Sequence, residues 1–288
     1  MTYQELTHRL STIYNEREAR AIVRMVFDIR YGMSFTDILS GKMDELPIQE
    51  HHSIEEIFHR LEQGEPVQYV LGVAEFGNRL FHVEPGVLIP RPETLCLCHL
   101  THRFATDKHH VYQSQINVLD IGTGSGCIAI TCALDIPHAQ VTAWDIMPEA
   151  LHIAKKNAEM LNAQVKFEQE DILKIPKPSM KWDIIVSNPP YICKKERFTM
   201  ERNVLDYEPE LALFVPNEDP LLFYRAIAQF ALNALQDDGH LLFEINPIYA
   251  QELKTMLEDM GYHQIDIKND QFDKERFLTC QKQTHSNT

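Results

Sequence analysis

The sequence lacks the features that direct a chain out of the cytosol or into a bilayer. Its first ten residues contain no basic start followed by an apolar stretch. No run approaches the roughly 18 apolar residues that a membrane-spanning helix needs. We therefore expect a cytoplasmic protein that has no membrane partner.

Positive charge is also scarce. Lys and Arg number 27 against 42 for Asp and Glu, which gives a net charge of -15 over 288 residues. Because nucleic-acid backbones are bound mainly through clustered cations, direct nucleic-acid binding is not expected. The apolar fraction of 44% can fill a core, and the length favours two domains or one large domain with an appendage.

The six cysteines lack the spacing of a disulfide framework or a zinc site. The nearest metal-like pattern, Cys96, Cys98 and His99, has no second pair of ligands. We expect no metal, and we expect these cysteines to lie buried or half-buried in a helix, since free cysteine packs as a small hydrophobe.

The chain changes character twice along its length. Residues 1–73 have helical periodicity and no convincing strand, which predicts a small helical domain, and Ser53 with Glu56 predicts a capping box within it. Residues 74–92 alternate apolar and polar positions around G-N and P-G, which predicts a hairpin linker. Residues 93–288 alternate strands and helices, so we expect an α/β domain with a mostly parallel sheet that ends in an antiparallel hairpin.

The run V-L-D-I-G-T-G-S-G-C lies at a strand-to-helix junction. Its glycines, Gly122, Gly124 and Gly126, let the backbone come close to a ligand. Asp145 ends the next strand, where a carboxylate can accept hydrogen bonds from ribose hydroxyls, and Asp120 favours an amino group over a phosphate. These features predict a site for a ligand with adenosine at one end and a charged amino acid at the other. S-adenosylmethionine fits this description better than NAD.

Asp171 ends the third strand of this domain. A carboxylate there can meet the edge of an adenine ring, and it can equally cap a turn. The sequence leaves the two interpretations open.

The segment S-N-P-P-Y at 187–191 directly follows the apolar strand W-D-I-I-V. Two prolines stop the sheet ladder and hold the next residues in a stiff, extended path. The side-chain oxygen of Asn188 and the backbone carbonyl of Pro189 can each accept an N–H from a target NH₂, and Tyr191 can lie against the target's plane. The pattern predicts transfer to an amide or exocyclic amine without a strong general base.

These motifs make the chain similar to class I S-adenosylmethionine-dependent methyltransferases that act on amide or amino nitrogen. It most closely resembles the release-factor glutamine methyltransferase family, known as PrmC or HemK. The likeness covers nearly the whole chain and includes G-E-P-V-Q-Y-V-L-G at 64–72, L-I-P-R-P-E-T at 88–94, D-I-G-T-G-S-G at 120–126, S-N-P-P-Y-I at 187–192 and Y-E-P-E-L-A-L at 207–213. The N-P-P-Y tetrapeptide also occurs in DNA adenine methyltransferases, whereas I-P-R-P-E-T and Y-E-P-x-x-A-L are features of this family.

The resemblance implies a class I methyltransferase, Rossmann-like fold with a mostly parallel seven-stranded sheet and an N-terminal helical domain that docks on a release factor. It implies methyl transfer from S-adenosylmethionine to the side-chain N5 of the glutamine in the Gly-Gly-Gln motif of class I peptide-chain release factors, which act in translation termination. The product is S-adenosylhomocysteine. Asn188, Pro189, Pro190 and Tyr191 would hold the glutamine. The implied cofactor contacts are Asp120, Gly122, Thr123, Gly124, Ser125, Gly126, Asp145, Asp171, Ile172 and Asn188.

Two positions depart from the family pattern. Leu95 stands where an acidic residue often follows R-P-E-T, and Asn246 replaces the glycine of E-I-G. Neither departure is expected to touch the chemistry. The roles of three further residues stay open: they could shape the lip of a groove between the two domains, or they could form surface salt bridges. These residues are Arg91, Glu93 and Glu208.

Two other functions stay open. A DNA or RNA adenine-N6 methyltransferase would need base flipping and a basic surface, which the net charge disfavours. A cofactor-binding module without catalysis is disfavoured by the presence of Asn188 and Tyr191, and it would largely retain cofactor binding after Asn188→Ala.

Overall fold

The computed structural model describes residues 2–112 and 115–283, except for the side chains of residues 109–112. Two compact units divide these residues. The first contains the residues up to Ala74 together with Val83–Pro85 and Met200–Glu208. The second contains Glu75–His82, Gly86–Thr199 and the residues from Pro209 onward.

Helices and strands alternate through most of the described chain. The helices are α1 (Tyr3–Leu10), α2 (Glu16–Tyr31), α3 (Phe35–Leu39), α4 (Ile48–Glu62), α5 (Val67–Leu71), α6 (Leu95–Tyr112), α7 (Cys127–Asp135), α8 (Pro148–Met160), α9 (Arg202–Tyr207), α10 (Glu210–Leu213), α11 (Leu222–Ala234) and α12 (Ala250–Asp259). The strands are β1 (Val73–Phe76), β2 (Arg79–His82), β3 (Ile116–Ile121), β4 (Ala139–Asp145), β5 (Val165–Gln169), β6 (Trp182–Ser187), β7 (Ile192–Cys193), β8 (Phe214–Val215), β9 (Leu235–Glu244), β10 (Tyr262–Asn269) and β11 (Glu275–Lys282). Short 3-10 turns occur at Lys42–Glu45, Pro92–Thr94, Ile172–Lys174, Lys194–Thr199 and Pro247–Tyr249.

The first unit is built from amphipathic helices around a core of its own. Helix α1 begins with a capping box in which Thr2 and Glu5 bond each other's backbone N–H groups. Helix α2 ends at Gly32, whose φ of +64° is in the left-handed region that glycine occupies without a steric penalty. The apolar faces of these helices and of α4 bury Phe27 and Phe58 completely.

The capping box predicted at Ser53 and Glu56 is wrong. Helix α4 begins earlier, at Ile48, because Pro47 precedes it with φ fixed at -58° and prepares the first turn. Ser53 therefore lies inside the helix, where its hydroxyl donates to the carbonyl of Gln49. A Ser with a Glu three residues on marks a helix start only when no stronger start signal lies upstream.

A seven-stranded sheet forms the centre of the second unit, in the order β10-β11-β9-β6-β3-β4-β5. Strands β9, β6, β3, β4 and β5 pair in parallel, while β11 runs antiparallel to both β9 and β10. One core lies under α11 and α12, and a second lies under α6, α7 and α8. The predicted fold class is confirmed, including the antiparallel hairpin at the end of the chain.

An aromatic cluster fixes one face of this sheet. The rings of Trp144 and Trp182 meet edge to face at 5.7 Å, and Phe230 of α11 lies 5.0 Å from the Trp144 ring. Large aromatic side chains bury much apolar area, so this cluster holds α11 against β4 and β6. The packing of α11 therefore helps to fix the positions of β4 and β6.

Strands β1 and β2 form a hairpin over residues 73–82, at the start of the segment predicted as a hairpin linker. Gly77 and Asn78 join them with φ values of +57° and +59°. A two-residue type I′ turn needs positive φ at both positions, and Asn and Gly are the residues that tolerate it best.

The carboxyl ends of the parallel strands meet at one edge of the sheet. Ile121 at the end of β3 pairs with Ser187 at the end of β6, and Ser187 in turn pairs with Phe243 of β9. In parallel sheets ligands bind in the crevice beyond these ends. The glycine loop, residues 120–126, the acceptor segment, residues 188–191, and Glu244 of β9 therefore lie at this edge.

Candidate active site

The glycine loop turns sharply after β3. Gly122, Gly124 and Gly126 have φ values of +76°, +53° and +83°. A Cβ added to Gly122 or Gly124 would meet no atom within 4 Å. A Cβ on Gly126 would lie 2.9 Å from Cδ1 of Ile130 and 3.1 Å from Cβ of Ala154. Two of the glycines thus leave room for a ligand, whereas the third permits the close packing of α7 on α8.

Thr123 and Ser125 point into the protein and are only 4% and 2% exposed. The Thr123 hydroxyl donates to Oδ2 of Asp120 at 2.7 Å. The side-chain amide of Asn157 donates to the carbonyl of Ser125 at 2.9 Å. Both residues are held in the predicted loop, and these bonds fix its shape.

Asp120 is completely buried beneath the loop. Its Oδ2 accepts from Thr123 and from the backbone N–H of Ala129 at 3.2 Å, while Oδ1 has no partner among the described residues. Burial raises the pKa of this carboxyl to about 7, although both hydrogen bonds oppose the shift. A buried carboxylate with one unpaired oxygen is suited to a cationic group.

Asp145 ties the glycine loop to the end of β4. Its Oδ2 accepts from the N–H of Gly124 and its Oδ1 from the N–H of Met147, both at 2.9 Å. The N–H of Gly122 donates to the carbonyl of Trp144 at 2.8 Å. Burial raises the pKa of Asp145, while the two backbone donors stabilise its charged form. The structure therefore brings Asp145 and the loop together, as their spacing predicts.

Asp171 caps a turn in the described structure. Its Oδ1 accepts from the N–H of Leu173 at 3.1 Å, and Oδ2 lies 3.4 Å from the ammonium group of Lys174. Ile172 follows it, is 8% exposed and packs in the same core cluster as Trp144. These contacts support the interpretation that Asp171 caps a turn. A contact between Asp171 and the adenine ring stays a prediction.

The acceptor segment leaves the sheet directly after β6. The Ser187 hydroxyl donates to the carbonyl of Ile121 at 2.6 Å, which fastens the end of β6 to that of β3. Pro189 is buried, and Asn188 is half-buried. The Asn188 amide nitrogen donates to Oγ1 of Thr94 at 3.4 Å. The segment is thus anchored beside the glycine loop.

Tyr191 is anchored through its hydroxyl. The hydroxyl donates to Oε1 of Glu244 at 3.1 Å, and Oε2 of the same carboxylate accepts from the Thr94 hydroxyl at 2.6 Å. Burial, and then the charge of Glu244, raise the pKa of Tyr191. Burial also raises the pKa of Glu244, which is 2% exposed, whereas its hydrogen bonds from Thr94 and Tyr191 and the charge of Arg276 oppose that shift.

The side chain of Asn246 contacts the acceptor segment, and its expected lack of effect on the chemistry stays a prediction. Its amide nitrogen donates to the backbone carbonyl of Tyr191 at 3.1 Å and to both oxygens of Glu196 at 3.1 and 3.2 Å. Its Oδ1 accepts from the N–H of Ile248 at 3.0 Å, and Glu196 accepts from the N–H of Cys193 at 2.8 Å. A glycine could make none of these side-chain bonds.

Comparison with known proteins identifies the chain's relatives. A family model for the methyltransferase small domain matches residues 104–206, and one for the PrmC N-terminal domain matches residues 2–72. A release factor glutamine methyltransferase of Bacteroides thetaiotaomicron is 45% identical over 274 residues, covering 95% of this chain and 96% of that protein. The chain belongs to the release factor glutamine methyltransferase family. Another protein of that name, from Lactococcus lactis, is 38% identical and covers 86% of this chain and 87% of its own length.

Solved structures agree with this family in fold. The human methyltransferase 10 domain containing protein superimposes with a TM-score of 0.53 at 17% identity, covering 71% of this chain and 88% of that chain. The T. thermophilus 16S rRNA methyltransferase RsmC, in complex with AdoMet and guanosine, gives 0.50 at 18% identity, covering 73% and 50%. Membership in the release factor glutamine methyltransferase family confirms the predicted enzyme class, an S-adenosylmethionine-dependent methyltransferase.

Sequence reasoning about this family member missed two residues of the site. Thr94 and Glu244 each contact the acceptor segment, yet they lie about 94 and 53 positions from the residues they bond. Thr94 closes the quoted I-P-R-P-E-T motif, and Glu244 opens E-I-N. Those motifs marked the two positions, but only the folded chain brings the turn before α6 to the end of β9.

The three residues whose roles the sequence leaves open differ in solvent exposure. Arg91 and Glu93 are half-exposed at the start of the turn before α6. Glu208, at the end of α9 in the first unit, is buried. Their roles at the groove stay predictions.

Within residues 2–112 and 115–283 no group of three or more His, Cys, Asp or Glu side chains could hold a metal ion. None of the helices described has both the length and the hydropathy to cross a bilayer. Cys96 is half-buried and Cys98 is buried in α6, as predicted.

Proposed function

We propose that this chain transfers a methyl group from S-adenosylmethionine to the side-chain N5 of the glutamine in the Gly-Gly-Gln motif of class I peptide-chain release factors, in the cytoplasm. The observation that carries the proposal is the acceptor segment, which lies beside the open glycine loop at the same sheet edge. Relatives named release factor glutamine methyltransferase, at up to 45% identity, support the substrate. The proposed partner is thus a release factor that acts in translation termination.

The residues of the glycine loop fit S-adenosylmethionine. Gly122 and Gly124 leave the space that a ligand needs, and the unpaired Oδ1 of Asp120 suits the cofactor's amino group. Asp145 would hold the ribose, and Asp171 and Ile172 would line the adenine. Thr123, Ser125 and Gly126 would contribute by shaping the loop, and Asn188 would border the cofactor. When bound, this cofactor supplies an electrophilic methyl group on a sulfonium centre.

The acceptor segment addresses the weak nucleophilicity of an amide. An amide nitrogen is unreactive because its lone pair is delocalised into the adjoining carbonyl. Oδ1 of Asn188 and the carbonyl of Pro189 would each accept one N–H of the glutamine, and these bonds would fix its orientation and favour a more tetrahedral nitrogen. Tyr191 and Pro190 would limit rotation of the amide plane. The nitrogen becomes cationic on methylation and loses its proton readily, so water can take it.

The helical domain at residues 1–73 and the hairpin linker at residues 74–92 would serve the protein substrate rather than the chemistry. The family model for a PrmC N-terminal domain supports a shared role for the helical part. We propose that residues 1–73 dock on the release factor and that the catalytic domain, residues 93–288, receives the glutamine. Arg91 and Glu93 would then lie near the entering loop.

The test uses labelled S-adenosylmethionine with three acceptors: a class I release factor, the same factor with Gln→Ala in its Gly-Gly-Gln motif, and adenine-containing DNA. Peptide mapping by mass spectrometry locates the label. We expect label on the wild-type factor alone, and its loss with Asn188→Ala. Label on DNA, or equal label on the Gln→Ala factor, would refute the substrate and leave a methyltransferase of another specificity.

A further inference from the structure

A continuous chain of hydrogen bonds lies behind the acceptor segment. The amide of Asn188 donates to Oγ1 of Thr94 at 3.4 Å, and the hydroxyl of Thr94 donates to Oε2 of Glu244 at 2.6 Å. Oε1 of Glu244 accepts from the hydroxyl of Tyr191 at 3.1 Å. Thr94 and Glu244 are 2% exposed. One buried carboxylate therefore connects both ends of the segment.

The number of hydrogens that each group can donate sets the direction of these hydrogen bonds. A threonine hydroxyl has one hydrogen, and an ionised carboxylate can only accept. The short bond between Thr94 and Glu244 is of the charge-assisted kind, so the hydrogen of Thr94 is committed to Glu244. Only lone pairs of Thr94 then face Asn188. The Asn188 side chain must present its NH₂ to Thr94, and its Oδ1 is directed away.

Burial disfavours the ionised form of Glu244, whereas the hydrogen-bond donors around it favour that form. Both of its oxygens accept hydrogen bonds, and the positive charge of Arg276 acts on it. Arg276 is held in turn by Asp270, whose Oδ2 lies 3.2 Å from the Arg276 Nε. The charge of Glu93 and burial both oppose ionisation of the carboxylate. A carboxylate with two donors and a nearby guanidinium is an acceptor in this network.

We propose that Thr94 and Glu244 are positioning residues that set which face of the Asn188 amide meets the substrate. An incoming NH₂ is a donor and needs an acceptor, which is Oδ1 of Asn188. If Asn188 were flipped, its own NH₂ would oppose the substrate NH₂. This inference rests on the proposed function for the identity of the acceptor, a glutamine amide, but the orientation of Asn188 depends on the protein alone.

Three variants separate orientation from simple packing. Thr94→Val keeps the shape but removes the lone pairs that hold the amide. Thr94→Ser restores the hydroxyl. Glu244→Gln keeps the volume and introduces an NH₂ that can donate to Thr94, whose hydrogen is then free to turn toward Asn188. Thr101→Val is the matched control, because Thr101 is also fully buried and its hydroxyl donates only to the backbone carbonyl of Leu97.

The first readout needs no substrate. In protein labelled with ¹⁵N-asparagine, the side-chain NH₂ signals of Asn188 are assigned by their loss in Asn188→Asp. We expect these signals to shift in Thr94→Val and Glu244→Gln and to stay in place in Thr94→Ser and Thr101→Val. Unchanged Asn188 signals in Thr94→Val, while the protein remains folded, would overturn the proposal whatever its activity.

The second readout is methyl transfer to the release factor. Since loss of acceptor geometry acts on the reacting complex, we expect Thr94→Val to lower kcat by about 10²-fold, with S-adenosylmethionine affinity retained and Thr94→Ser restoring the rate. A Thr94→Ser variant as impaired as Thr94→Val would also overturn the proposal. If the wild-type protein fails to methylate the factor while the Asn188 signals respond as expected, the proposed function fails and the positioning role stands.

Discussion

The glycine loop and the acceptor segment lie at the same sheet edge but are held in different ways. The glycine loop is held through its own backbone N–H groups. The N–H of Gly124 donates to the Asp145 carboxylate, and the N–H of Gly122 donates to the Trp144 carbonyl. Proline rigidity and residues distant in sequence hold the acceptor segment, through Thr94 and Glu244. The difference suggests that cofactor binding and acceptor orientation can be disrupted separately.

The largest effect is expected from Asn188→Ala. The variant removes a hydrogen-bond acceptor for the target NH₂, so the transfer rate should fall by about 10²- to 10³-fold, while S-adenosylmethionine binding is largely retained. Single-turnover kinetics and calorimetry measure the two quantities. Asn233→Ala, at an exposed position of α11, is the control. Parallel loss of cofactor binding and rate would mean that the two regions are not separable.

Asp120→Asn should change protein stability and S-adenosylmethionine binding without disturbing the acceptor segment. Burial raises the Asp120 pKa from an ordinary value of 3.8 to about 7, so the folded chain holds a proton that the unfolded chain releases between those pH values. Stability therefore falls as pH rises through this window, by at most about 1.4 kcal/mol per pH unit. The variant should abolish this fall and should bind S-adenosylmethionine more weakly above pH 7.

Urea unfolding at several pH values, together with calorimetric titration of the cofactor, checks the Asp120 prediction. An unchanged pH dependence of stability in Asp120→Asn would contradict the assigned cause. Unchanged cofactor affinity at pH 8 would contradict the contact with the cofactor's amino group.

Two glycine variants should separate packing from ligand access. Gly126→Ala combines an unfavourable φ with contacts of 2.9 and 3.1 Å to Ile130 and Ala154, so it should cost about 2–4 kcal/mol of stability. Gly124→Ala meets no atom and should cost only about 1–2 kcal/mol, from its positive φ. Urea unfolding measures both. Equal losses would show that the packing of α7 on α8 is not the reason for Gly126.

The smallest effect is expected from Asn246→Gly, which restores the residue of the family pattern. It removes the bonds to the Tyr191 carbonyl and to Glu196, so it should cost about 1–2 kcal/mol of stability and lower the transfer rate modestly. Thermal unfolding and steady-state kinetics measure these changes. A stability equal to that of the wild-type protein would show that the Asn246 bonds do not stabilise the segment.

The fold and both motifs could be predicted because their signals are local. The strand-helix alternation, the glycine loop and S-N-P-P-Y each occupy one short stretch, and the sheet order confirms the fold that they indicate. Glu244 and Thr94 could not be paired from the sequence, since 150 positions separate them. Their contact depends on the packing of the turn before α6 against the end of β9.

The wrong prediction at Ser53 and the contacts that were not predicted have equally specific causes. Ser53 matches a capping pattern, but Pro47 starts the helix first. The contact of Asn246 could not be predicted because a departure from a pattern does not say where a side chain points, and in the structure its amide reaches the Tyr191 carbonyl. Gly126 shares a motif with Gly122 and Gly124, but only the three-dimensional packing shows that it faces Ala154.

The most direct test of the account is the chemical identity of the methylated atom. The labelled peptide from the release factor is isolated after transfer and hydrolysed in acid, and the volatile products are identified. Transfer to the glutamine N5, as the acceptor segment requires, predicts release of labelled methylamine. Labelled methanol would indicate an ester on oxygen, and label retained on another residue would indicate a different acceptor; either result would contradict the account.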